Sequence, residues 1–143
     1  LLAETIRSFN GVEYLLFPKI MGLAERGWNA YPAWEELRGA QEQQAFNKAL
    51  ALYYEKISDM EMPYWARNGI HFRLPHPGLL VKDGKLYANV AIRGAEIRYT
   101  TDGSEPDAQS ALWEAPVPCH APVVKEKTFC QGEESLPITL KTE

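Results

Sequence analysis

Glu25 and Trp28 stand one helical turn apart in the run Leu23-Ala24-Glu25-Arg26-Gly27-Trp28, a spacing that brings both side chains to one face. An acid beside an indole could serve as a sugar platform, because a carboxylate accepts strong charge-assisted hydrogen bonds from hydroxyls. The same pair also suits helix packing around a buried carboxylate held by a partner, and this structural reading takes precedence. Arg7 and Arg26 are then expected as ion-pair partners or surface charges. Asp102-Gly103-Ser104-Glu105 is too short for the alternating oxygen ligands of a calcium loop. It is expected to be a turn fixed by the aspartate side chain. His71, His76 and His120 show no metal-ligand spacing. Cys119 and Cys130 match neither a zinc site nor a redox pair, and they stand as two thiols or a disulfide of the oxidising compartments. Tyr64, Trp65, Phe72, Tyr87, Tyr99 and Trp113 offer a carbohydrate platform on one reading. On the other, preferred for aromatics at strand and junction positions, they are core.

The elements that must position these groups change period near residue 70. Val12, Leu15, Leu16, Ile20, Leu23, Ala24 and Trp28 recur at three- and four-residue steps, a helical pattern. Asn10 is the expected N-cap, and Pro18 should split the helix near Phe17. A second helical pattern runs from about Ala33 to Ser58, with Phe46, Ala49, Leu50, Tyr53 and Ile57 as its apolar stripe. Pro63 is expected to end it, leaving Tyr64 to Gly69 as a connector.

Beyond Pro77-Gly78 the period becomes two. Asp83-Gly84 lies between two β-rich runs, Leu79 to Val81 and Leu86 to Val90, a strong hairpin signal. Glu96 to Thr101, Val123 to Phe129 and Leu136 to Leu140 read as further strands, with Asp102-Gly103 as a second tight turn. The fold class is therefore α+β: a helical segment over 1–72 and a small immunoglobulin-like β-sandwich over 73–143. The chain of 143 residues is 45% hydrophobic and 24% charged, with net charge −4. That composition is globular, shows no basic stripe for nucleic acid, and holds no apolar run able to span a bilayer. No cofactor is expected. Two short helices have little core of their own, so their apolar faces need a partner layer.

The runs Glu4-Thr5-Ile6-Arg7, Phe17-Pro18-Lys19-Ile20 and Leu23 to Trp28 resemble the end of the catalytic barrel in glycoside hydrolase family 20. The second half resembles the domain that follows the barrel in many bacterial members. The match there is carried by Ile97-Arg98-Tyr99-Thr100-Thr101-Asp102-Gly103-Ser104-Glu105-Pro106, the Phe72-Arg73-Leu74-Pro75 junction and the strand Val124 to Phe129. Lys19 stands where that family has arginine, which keeps the charge and loses the planar fork. Leu2 stands where its pocket-lining tryptophan falls.

The resemblance implies the C-terminal end of an exo-acting β-N-acetylhexosaminidase that acts on glycans and is periplasmic or secreted. Residues 1–72 would be the last helices of its (β/α)8 barrel. Glu4 matches the family glutamate that hydrogen-bonds sugar hydroxyls and is the one substrate-binding residue expected. Members of the family work by substrate-assisted hydrolysis, outside the two-carboxylate scheme, through an adjacent Asp-Glu pair. The chain contains no Asp-Glu dipeptide, so no catalytic residue is assigned and the 143 residues alone are expected to be inactive. Without the barrel strands, the helices are expected to self-associate. The rival readings are a carbohydrate-binding module, marked by an exposed aromatic row on one sheet face, and an interaction domain with a broad apolar face.

Overall fold

A computed structural model describes residues 6–142. It divides into two compact units, Leu1–Phe72 and Arg73–Glu143. The fold is α+β, helical in the first unit and all-antiparallel in the second.

The first unit holds α1 (Phe9–Leu16), α2 (Lys19–Trp28), a 3₁₀ turn (Ala33–Glu36), α3 (Gly39–Lys56), a π-helical turn (Ile57–Glu61) and α4 (Met62–Arg67). The N-cap of α1 is Ser8 and not Asn10: the Ser8 hydroxyl accepts the Gly11 N–H at 3.1 Å. A short hydroxyl in extended backbone satisfies one of the orphan donors of the first turn. Asn10 lies inside the helix, and its amide is 3.0 Å from the His71 ring. The split at Pro18 is as expected, with α1 closing on Phe17 and α2 starting at Lys19.

Pro63 does not end the second helical stretch. The chain stays helical to Arg67, so Tyr64 to Arg67 are helix and not connector. The π-helical turn explains this. Met62 N–H reaches back five residues to Ile57 O, and Pro63 then falls in the first turn of α4, where a missing N–H costs nothing. The core of the unit forms around this widened turn. Ile57, Met62, Trp65 and Phe72 are buried, and the Trp65 ring lies 5.0 Å from Phe17 and 5.4 Å from Phe72.

Among the described residues the second unit has eight strands: β1 (Gly78–Lys82), β2 (Lys85–Asn89), β3 (Glu96–Thr100), β4 (Ala111–Trp113), β5 (Val117–Pro118), β6 (Val123–Cys130), β7 (Glu133–Glu134) and β8 (Ile138–Lys141). One sheet runs β1-β2-β5. The other runs β4-β3-β6-β7, with β8 also paired to β6. Lys82 pairs with Lys85, leaving Asp83-Gly84 as a two-residue hairpin loop. Both loop residues have positive φ, 51° and 69°, as the type I′ turn of a twisted hairpin demands.

Asp102-Gly103 differs from the expected tight turn between strands. Gly103 has φ 83°, but β4 begins only at Ala111, so the pair opens a longer connection. The two sheets meet on Leu86 of β2, Val124 of β6 and Cys119, with Leu79, Val81 and Trp113 packed around them. The Trp113 indole N–H donates to Leu86 O at 3.3 Å, tying β4 to the opposite sheet.

Candidate functional site

Glu4, the one expected sugar contact, and Leu2 lie outside the described residues. The chemistry-bearing side chains that are described fall in two places, one in each unit.

In the helical unit, α2, the 3₁₀ turn and α3 enclose a cleft of about 250 Å³. Pro32, Trp34, Phe46 and Leu50 form apolar wall, with Glu25, Arg26 and Tyr53 as polar lining. Trp34 meets Phe46 edge to face with ring centres 5.2 Å apart. The Arg26 guanidinium sits 5.7 Å from the centre of the Trp34 ring and bonds Glu35 at 2.6 Å. Arg26 is a half-exposed charge paired with Glu35 and not with Glu25, and Glu25 instead has Lys56 of α3 at 3.9 Å. Lys56 reaches it because α3 lies alongside α2, whereas Arg26 is drawn to Glu35. Glu25 is also not a buried carboxylate, since its side chain is 44% exposed. Burial holds the Tyr53 hydroxyl above its ordinary pKa, with Tyr54 and Glu25 adding to the rise. Trp28 does not join Glu25 in a platform within this unit, because its side chain is 92% exposed and it does not line the cleft. Glu25 and Glu35 each have a cation within 4 Å, pairs that link α2 to α3 and to the 3₁₀ turn.

In the sandwich, Asp102 fixes the loop after β3. Its Oδ1 accepts the Ser104 N–H at 2.9 Å and the Ser104 hydroxyl at 2.5 Å. Those Ser104 bonds favour the ionised form and hold its pKa below the usual carboxylate range. This is the aspartate-fixed turn read from the sequence. Asp107 repeats the device with Gln109 and Ser110, each at 2.9 Å. Lys127 is almost wholly buried, and its ammonium lies 2.5 Å from Glu105 and 3.0 Å from Glu134. Burial alone would lower its pKa, but hydrogen bonds to the two glutamates outweigh it and the net shift is upward.

His71 and His76 are occupied locally. Glu13 accepts the His71 backbone N–H at 3.2 Å, and the His76 ring bonds Leu136 O at 2.9 Å. Among the described residues, no three His, Cys, Asp or Glu side chains converge as a metal site. Cys119 and Cys130 are both free thiols. Trp65 and Phe72 are core, Tyr99 and Trp113 pack against the sandwich core, and Tyr64 and Tyr87 are exposed. The sheet faces therefore carry no row formed from these aromatics. Sequence reasoning missed the Arg26–Glu35–Trp34 cluster, which joins α2 to the 3₁₀ turn across Pro32 and leaves no periodic mark in the sequence. No helix among the described residues is long and apolar enough to cross a membrane.

These features define an α+β chain whose C-terminal unit is a small antiparallel β-sandwich braced by its own ion pairs. The model of the chitobiase/beta-hexosaminidase C-terminal domain matches residues 61–134, and the chain belongs to that family. It is 33% identical over 113 residues to N,N'-diacetylchitobiase of Vibrio harveyi, covering 72% of this chain and 13% of that protein. It is 30% identical over 121 residues to a beta-hexosaminidase of Vibrio vulnificus, covering 72% of this chain and 14% of the relative. The chain thus spans about one-seventh of the length of these curated relatives.

Proposed function

We propose that this chain is the C-terminal end of an exo-acting β-N-acetylhexosaminidase, a periplasmic or secreted glycoside hydrolase that removes terminal N-acetylhexosamine from glycans. The observation that carries the reading is the C-terminal-domain match at residues 61–134, within a chain that aligns to only 13% of a chitobiase. On this reading α1 to α4 are the last helices of a catalytic barrel, and the sandwich braces that barrel. Glu4 contacts sugar hydroxyls only when the remaining barrel is present, and the substrate-assisted chemistry belongs to an Asp-Glu pair that this chain does not contain. The packing of Tyr99 and Trp113 into the sandwich core favours a bracing role over a glycan platform.

The purified chain is expected to release no chromophore from a chromogenic N-acetylglucosaminide. A longer product that adds the upstream coding sequence is expected to be active. Turnover that follows the short chain through purification and persists in a host-enzyme control would overturn the assignment of catalysis to the missing segment. An inactive full-length product carrying an intact Asp-Glu pair would overturn the hexosaminidase reading.

The same reading predicts self-association of the short chain. Phe9, Leu23, Trp28 and Tyr31 are 74%, 73%, 92% and 91% exposed. Each large apolar side chain left in water forgoes roughly 1.5–3 kcal/mol of burial. A two-fold contact covers one patch on both copies at once. Sedimentation equilibrium at micromolar concentration is expected to give a mass above the 16.2 kDa of one chain. A strictly monomeric mass refutes it.

A further inference from the structure

The longest strand of the sandwich turns acid into its own interior. Val124, Glu126 and Thr128 occupy alternate positions on β6, and all three are fully buried. Alternate residues of a strand share a face, and Val124 belongs to the core between the sheets. Glu126 is therefore on the interior face. Its register partners are Tyr99 on β3 and Ile138 on β8, while Thr128 stands opposite Ile97. Neither carboxyl oxygen of Glu126 has a hydrogen-bond partner, nor has the Thr128 hydroxyl.

Among the described residues no ion pair includes Glu126. Lys125 and Lys127 flank it in sequence and so point to the other face of the strand, and the Lys127 ammonium is already bound by Glu105 and Glu134. Of its two register partners, Tyr99 on β3 carries a titratable phenol and Ile138 on β8 carries none. The neighbouring cluster around Val124 holds Leu79, Val81 and Leu86 of the other sheet, with the Tyr99 phenol and the Cys119 thiol as its titratable groups. A carboxylate without a partner in such surroundings is far costlier than a neutral carboxylic acid. Burial is the cause that pushes the Glu126 carboxyl up to about 8.

We propose that Glu126 is a proton-dependent latch of the sandwich: the two sheets close around its neutral acid form, and loss of that proton loosens the central strand β6. The sign follows from linkage. The folded chain holds this proton to higher pH than the unfolded chain, whose glutamate titrates near its ordinary value of 4.5. The stabilisation is therefore complete below pH 4.5 and drains away as pH rises toward about 8, above which it is gone. One retained proton weakens the folding equilibrium by about tenfold for each pH unit within that window.

The test is guanidinium unfolding of the whole chain between pH 5.5 and 9, followed through the methyl resonances of Val124 and Ile138. The wild-type folding constant should fall with the stated slope, and Glu126→Gln, neutral at every pH, should lack it. Equal slopes in the two proteins overturn the proposal. Should Glu126→Gln not fold, Glu126→Met serves the same comparison. The wild-type side-chain carboxyl is also followed directly by carbon NMR. A midpoint well above the ordinary glutamate range supports the latch, and an ionised resonance at pH 6 refutes it.

Discussion

Trp65→Ala lowers the stability of the helical unit by about 3–5 kcal/mol, while Trp28→Ala changes it by less than about 0.5 kcal/mol. The two residues share a side chain and a helical setting, and differ in what surrounds them. Trp65 is 2% exposed, and its ring stacks obliquely against Phe17 and Phe72. Cutting it to a methyl leaves a void bordered by two other large rings, and a helical unit with few other buried side chains cannot close over it. Ile57 and Met62 are buried in the same unit. Trp28 is 92% exposed at the end of α2, so its removal takes almost nothing out of contact within one chain. Far-UV ellipticity reports the helices and is the measurement to use. It should be followed at a protein concentration low enough to keep the chain monomeric, because association would bury Trp28. A Trp65→Ala midpoint within about 1 kcal/mol of wild type would remove Trp65 from the core.

Much of this fold is legible in the sequence because its strongest elements are locally consistent. The stretch from Val12 to Trp28 repeats at the helical period, and Pro18 breaks it where α1 gives way to α2. Asp83-Gly84 specifies its hairpin because a type I′ turn needs positive φ at both positions, which this dipeptide tolerates. What is illegible depends on the third dimension or on very short runs. β4, β5 and β7 are three, two and two residues long, too short for any period to register. Pro63 reads as a stop because proline normally is one. Only the π-helical turn at Ile57–Glu61, which has no sequence mark of its own, lets the helix continue. Asp102-Gly103 looks like a hairpin turn, but its partner strand begins at Ala111, and a loop's length is not encoded in its first two residues.

The candidate site is less legible than the fold. Glu25 and Trp28 share a helix turn, yet the cation near Glu25 is Lys56 on another helix, a pairing that spacing along α2 cannot reveal. Glu126 is hidden for a similar reason. In Val123 to Phe129 three charged residues, Lys125, Glu126 and Lys127, stand in a row between apolar ends. A reader of that run alone would turn the glutamate to solvent, but Glu126 and Thr128 are buried on one face and Lys127 on the other. Burial on both faces removes the alternation on which strand reading relies.

Leu86→Ala is the second large effect. It is expected to cost about 2–5 kcal/mol, against less than about 1 kcal/mol for Leu80→Ala on the neighbouring strand. Leu86 is fully buried and joins β2 to Val124 of the opposite sheet and to Cys119. Its carbonyl receives the Trp113 indole N–H, so the residue anchors both a packing contact and a cross-sheet hydrogen bond. Leu80 pairs with Tyr87 on the outer face of the hairpin, where the two are 55% and 38% exposed. Because side chains alternate with period two, a one-residue slip of β1 or β2 would exchange the inner and outer sets. The comparison therefore tests register as well as burial. The turn residues Asp83 and Gly84 hold the register of the hairpin, and Val81 opposite Leu86 holds its buried face. Trp113 is the tryptophan of the sandwich unit, so its fluorescence, read in a variant whose other three tryptophans are replaced by phenylalanine, follows this unit. Each leucine change is scored against that same background. A larger loss for Leu80→Ala than for Leu86→Ala would mean that the hairpin faces the other way, and the pairing of the two sheets through Leu86 and Val124 would have to be abandoned.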